Sequence, residues 1–177
     1  MLRLLVLLLT AGLAAGGCGG SDPEVSTSVA TSIAVSSEAF APGGDIPASF
    51  TCDGENVSPP LAWSGASAQA WALVVDDPDA PGGTYVHWVV VDIPASTTSV
   101  ATHAVPAGGV QVENSAEKAS YAGPCPPSGE HRYRFTVYAL DAPTGLAAGA
   151  GLDDALDAIS AHAVSRGRLT GTYARQR

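Results

Sequence analysis

The chain has 177 residues, of which 46% are hydrophobic and only 14% charged, and Lys+Arg 8 against Asp+Glu 17 gives a formal charge of −9. That balance argues against sequence-independent nucleic-acid binding, which needs a cationic face to displace phosphate counterions, and against attachment to anionic lipid through a basic patch. The length suits one domain with a real core.

At the N-terminus, Met1-Leu2-Arg3 is a minimal positive start and Leu4 to Leu9 a short apolar run, followed by small residues that lead to Cys18. A membrane span needs about 20 apolar residues, so this run is read as a targeting segment. Residues 1–17 resemble a bacterial lipoprotein signal cleaved before Cys18, whose thiol and amine then become acylated. An ordinary secretory signal cut nearby is the alternative. In both readings the mature chain is exported, and in the first it is held to the outer face of the cytoplasmic membrane, since several acyl chains anchor stably where one does not. Cys52 and Cys125 remain. In an oxidising compartment they are a candidate disulfide, with two buried free thiols as the alternative.

Residues 18–31, largely "GGSDPEVSTSVAT", show no apolar periodicity and are expected to form a flexible tether ahead of a domain over 32–177. Ile33-Ala34-Val35 predicts a first strand, Phe40 to Phe50 a loop rich in Gly and Pro, and Leu61-Ala62-Trp63 a short strand. Trp71 to Val75 and Trp88 to Ile93 are β-branched and aromatic runs bounded by Pro or Gly. From Arg132 to Leu140, Tyr133, Phe135, Val137 and Ala139 share one face, which predicts a strand buried on one side. Leu152, Leu156, Ile159 and Ala163 form one helical stripe with acidic residues at its start, Arg166 near its end and Gly167 as its stop. Leu169 to Tyr173 is then a last strand. Short strands with one late helix indicate an antiparallel sandwich.

Polar residues break the ends of these apolar strands. They are Asp77 and Asp79 within "DDPDAP", His87 before Trp88, and "GPCPPSGEHRY" from Gly123 to Tyr133. Charge on proline-stiffened loops suits a preorganised site on a rigid scaffold. "DPDAP", then "HW" followed by Val-Val-Val, then "GPCPP…HRYRF" resemble the phosphatidylethanolamine-binding protein family, and "FTCDGENVSPPLAW" (Phe50 to Trp63) resembles the opening of its bacterial, Raf-kinase-inhibitor-like members. The likeness covers about Ile33 to Tyr173. It implies a Greek-key β-sandwich that binds rather than catalyses, without metal or cofactor, through a small pocket for phosphate or a phospholipid head group. It also implies an inhibitory role toward a protein partner, here one in the envelope. Asp77, His87, His131 and Tyr133 correspond to the family's pocket residues, with Asp79, Ala80, Pro81, Tyr85, Gly123 and Pro124 beside them. Val86 and Trp88 differ from the His and Phe of animal members. The chain also ends soon after "GTYAR", so the helix that covers the animal pocket is expected to be missing and the pocket more open.

An anion pocket lined by carboxylates needs a physical account. Asp77 is expected to accept a ring N–H from His87 or His131, favouring imidazolium and aiming the other N–H at the ligand. The Tyr133 hydroxyl and backbone N–H groups near Gly123 are further candidate donors. Asp76 is read as a solvated or turn-capping residue, Asp79 as a site member or the maker of its own Asx-turn, and Arg132 and Arg134 as solvated. Ala80-Pro81 is a candidate cis bond. His103 and His162 are read as surface residues, and Trp63, Trp71 and Tyr138 as core or sheet-face residues. The competing reading is a hydrolase or metal-dependent enzyme built on the His/Asp cluster, or on a Cys125–His131 pair. Against it, the sequence has neither an H-E-x-x-H nor a G-x-S-x-G motif. A structural envelope lipoprotein with a vestigial pocket is a third class.

Overall fold

The computed structural model describes residues 23–175 except Ser26. The expected signal over 1–17 and the acylated Cys18 lie outside the described residues. In chain order the elements are β1 (Ala30–Thr31), β2 (Ala34–Ser36), a 3-10 turn (Ala48–Phe50), β3 (Leu61–Ser64), β4 (Ala70–Asp77), β5 (Tyr85–Pro94), β6 (Ser99–Val100), β7 (Val110–Val112), β8 (Glu130–Leu140), α1 (Leu152–His162) and β9 (Ala163–Ala174). They form the expected sandwich: a six-stranded sheet in the order β1-β9-β8-β4-β5-β7 and a three-stranded sheet in the order β2-β3-β6. One pairing departs from the antiparallel expectation, because β1 runs parallel to β9.

Two apolar layers hold this together. One fills the space between the sheets, with Trp63, Trp71, Trp88, Tyr133 and Phe135 among its members. The other lies on the opposite face of the large sheet, where Ala155, Leu156 and Ile159 of α1 meet Ala72, Val74, Val89, Val91, Tyr138 and Leu140. With both faces covered, every residue of β4 is buried, which is why its sequence is a continuous apolar run rather than an alternation. The same cover corrects the one-sided reading of β8, where Thr136, Tyr138 and Leu140 are as buried as Phe135 and Val137.

Two boundaries differ from expectation. The helix stops at His162 and the chain extends at once, Ala163 pairing with Leu140. Gly167 is therefore not a helix stop but a strand residue, whose missing side chain lets the Ile33 carbonyl approach. The tether expected over 18–31 is not free in its second half. Val25 is only 5% exposed and packs in the α1 layer, Glu24 meets Arg134 at 3.2 Å, and Ala30–Thr31 pair with Ser165–Arg166.

Candidate functional site

The proline-stiffened turn after β4 places its acids with care. Asp77 Oδ1 accepts the Asp79 backbone N–H at 2.8 Å, so the Asx-turn belongs to Asp77. Asp79 instead reaches outward, accepting from the Arg132 backbone N–H at 2.9 Å and from its guanidinium at 2.6 and 2.8 Å. The Arg132 hydrogen bond holds the Asp79 carboxyl down at about 2. The next acid is a correction: Asp76 is 4% exposed rather than solvated, and Arg134 donates to it from Nε at 2.6 Å and from a terminal nitrogen at 2.8 Å. Burial raises the Asp76 carboxyl above the ordinary range despite those hydrogen bonds. Alternation along the strand explains the split, since Asp76 and Asp77 point to opposite faces of the sheet. Every peptide bond among the described residues is trans, including Ala80-Pro81.

On the inter-sheet side, Asp77 Oδ2 lies 2.7 Å from His131 Nδ1. His87 takes a different acceptor: its Nδ1 donates to the Ala122 carbonyl at 2.8 Å. A carbonyl can only accept, so Nδ1 carries the proton and Nε2 is left to the cavity. Burial lowers the His87 pKa below the ordinary value, with the Ala122 contact and the Asp77 charge opposing. Both rings are more than nine-tenths buried, and neither Nε2 has a partner among the described residues. Tyr85 and Tyr133 pack edge-on to His87, at ring-centre distances of 4.9 and 5.4 Å.

These groups converge on a cavity of about 390 Å³ lined by Cys52, Asn56, Asp77, Ala80, Pro81, Tyr85, His87, Ala122, Gly123, Cys125, Pro127 and His131. Of the residues expected at the site, Asp79, Pro124 and Tyr133 stand off this lining. Tyr133 is fully buried behind His87, and its hydroxyl meets no well-aligned acceptor or donor. Burial first, and then the Asp77 charge, raise its pKa. Gly123 lines the cavity, but its N–H donates to Asn56 Oδ1 at 2.7 Å and is not free for a ligand. A Cβ there would run into Asn56 and the Phe50 carbonyl, so the glycine serves close packing of the two walls.

Asn56 and Ala122 were missed as site residues, although Asn56 lies inside the quoted "FTCDGENVSPPLAW" stretch. Cys52 and Cys125 form the expected disulfide, with Cα atoms 5.4 Å apart, and that bridge is itself part of the wall. It removes the free Cys125 thiol that a Cys125–His131 nucleophile would require. A wider hollow of about 590 Å³ lies against Asp45, Asp53, Glu130, Tyr173 and Arg175. It holds no imidazole, and Asp53 is already satisfied by Arg175 and Tyr173, so the smaller histidine cavity is the better candidate.

The sequence model described as phosphatidylethanolamine-binding protein matches residues 36–174. The chain belongs to the phosphatidylethanolamine-binding protein family. Within and around that family, it is 44% identical over 190 residues to a candidate lipoprotein, LppC of Mycobacterium tuberculosis, covering 94% of both chains. A UPF0098 protein of Methanothermobacter thermautotrophicus is 44% identical over 144 residues, covering 77% of this chain and 95% of that one. Among solved structures, Escherichia coli YbcL, described as a new member of the mammalian PEBP family, is similar with a TM-score of 0.77 and 30% identity, covering 82% of this chain and all of its own. CT736 of Chlamydia trachomatis, a candidate phosphatidylethanolamine-binding protein homologue, gives 0.76 and 33%, covering 83% of this chain and all of its own. For a phosphatidylethanolamine-binding family member, the Asp77–His131 pair and His87 sit where the motifs "DPDAP", "HRY" and "HW" bring three strand ends together.

Proposed function

We propose that the cavity at the ends of β4, β5 and β8 is a non-catalytic site for a small anion, inorganic phosphate or the phosphate of a phospholipid head group, on an exported domain held to the membrane through Cys18. The family is named for binding rather than for a reaction, and the relative LppC is named as a candidate lipoprotein. One observation carries the reading: two imidazoles on different strands have Nδ1 fixed by Asp77 and the Ala122 carbonyl, both line one cavity, and neither Nε2 has a partner among the described residues. The carboxylate that would repel an anion is engaged by His131, and protonated Nε2–H groups donate charge-assisted hydrogen bonds, the stronger kind. A polar, fixed cluster in a concave site with a partly apolar rim of Ala80, Pro81 and Tyr85 suits binding of a head group.

Calorimetric titration with phosphate at a pH low enough to protonate His87 tests this. His131→Ala and His87→Ala are each expected to weaken binding at least tenfold, about 1.4 kcal/mol. Affinity undiminished in both variants would sink the assignment.

A further inference from the structure

The imidazoles that line the cavity come from strands β5 and β8, whereas Asn56 and Gly123 reach it from loops. Asn56 has a φ of 58°, in the left-handed region that Gly, Asn and Asp enter most readily. Its Oδ1 accepts the Gly123 N–H at 2.7 Å. A backbone N–H needs an acceptor, so this contact settles which end of the side-chain amide is oxygen and leaves Nδ2, with two hydrogens, at the other. Nδ2 has no partner among the described residues, and Asn56 is exposed at the cavity rather than packed away from it.

Each residue type suited to this backbone would meet a different share of these demands. Glycine would adopt the left-handed φ and nothing more. Aspartate would adopt it and also accept from Gly123, more strongly than an amide does, because a hydrogen bond to an ionised acceptor is the stronger kind. Only asparagine adds a donor. Aspartate would also bring a second carboxylate to a cavity that already holds Asp77, whereas the nearby acids Asp53 and Glu55 stand off the lining. The amide hydrogens, moreover, do not titrate, while His87 Nε2 becomes a donor only when its ring is protonated, Nδ1–H being committed to the Ala122 carbonyl.

Resting on the anion site of the proposed function, we propose that Asn56 is a ligand-contacting residue whose Nδ2 donates a hydrogen bond to a phosphate oxygen, of the free anion or of a head group. Gly123 is then a positioning residue, since its N–H holds the amide with the donor end outward.

The test follows proton–nitrogen correlation spectra of the protein through a titration with inorganic phosphate at about pH 5.5, below the ordinary His value. The Asn56 side-chain amide, assigned by its loss in Asn56→Asp, is expected to shift with the same midpoint as the His87 and His131 ring signals. A parallel titration with glycerophosphoethanolamine separates the two sources of phosphate: the tighter ligand marks the source, and the Asn56 shift is expected with it. Calorimetry then reads two variants, Asn56→Gly and Asn56→Asp, each expected to bind phosphate at least tenfold more weakly. The first loses the Gly123 contact without gaining charge; the second keeps that contact, visible in the Gly123 N–H signal, but gains a charge. The missing donor is the one defect they share. Wild-type affinity in either variant, or an Asn56 amide that stays still while the ring signals move, overturns the proposal and leaves the anion site standing. Ring signals that stay still as well overturn both. Should a variant not fold, the wild-type spectra decide alone.

Discussion

His87 and His131 sit in one cavity but are not equivalent groups. His131 faces a carboxylate, whereas His87 faces a carbonyl and a buried surround that lowers its pKa. At neutral pH His87 is therefore an uncharged ring that offers a lone pair at Nε2, and only acidification turns that atom into a donor. Sulfate keeps its charge over this range, so its affinity isolates the protein's titration. It is expected to tighten as pH falls, with the His87 contribution arriving below the ordinary value of about 6.5. The sign for stability is opposite. The unfolded chain keeps the ordinary His pKa and binds more protons on acidification, so His87 destabilises the free protein as pH falls below about 6.5. Melting curves of the wild type and His87→Gln between pH 7 and pH 5 check this, the variant falling less steeply; parallel slopes would refute the buried-neutral assignment. Asp76 and Arg134 make a different residue-scale case, because removing one partner strands the other. Arg134→Ala leaves a buried, uncompensated carboxylate and is expected to lose about 3 kcal/mol in urea unfolding.

Strands were legible where burial was written into the pattern. Trp71 to Val75 and Trp88 to Val91 are apolar throughout because two layers cover them, and α1 carried its stripe of Leu152, Leu156 and Ile159. The short strands β6 and β7 were not, since Ser99–Val100 and Val110–Val112 are too brief to show a period. The end of α1 and the start of β9 were misread for a related reason: Ala163 fits the helical stripe, but pairing with Leu140 claims it for the sheet. Gly167 looked like a helix stop because glycine often is one. Its actual role, giving passage to the Ile33 backbone, depends on a segment more than a hundred residues away that no local pattern encodes. Gly167→Ala is accordingly expected to force β9 and the Ile33 segment apart and destabilise by about 1–3 kcal/mol, as overpacking does. A thermal melt within error of the wild type would show that the segment can shift freely.

For the whole molecule, the decisive feature is that the cavity is walled by loops far apart in sequence. The site histidines and acids were legible as motifs, and the cysteine pair by compartment. The contacts that fix the walls were not, because each is a single hydrogen bond between remote positions. Cys52 N–H donates to the Pro124 carbonyl at 3.1 Å, Gly123 N–H to Asn56 Oδ1 at 2.7 Å, and Tyr121 O–H to the Phe50 carbonyl at 2.8 Å. Asp53 is held in addition by Tyr173 at 2.8 Å and by Arg175. The disulfide, spanning a sequence separation of 73, ties the same two walls. Its effect on the unfolded chain is large: closing a loop of that length contributes about 4 kcal/mol in the chain-entropy model, on the order of 10 °C in Tm for a domain of this size. Its effect on the folded cavity is small, since the polar contacts hold the walls without it. Cys52→Ser/Cys125→Ser is thus expected to melt far lower, yet to bind phosphate within about threefold of the wild type when both are measured well below their melting temperatures. A tenfold loss of affinity under those conditions would mean that the bridge, rather than the Asn56 and Tyr121 contacts, shapes the cavity.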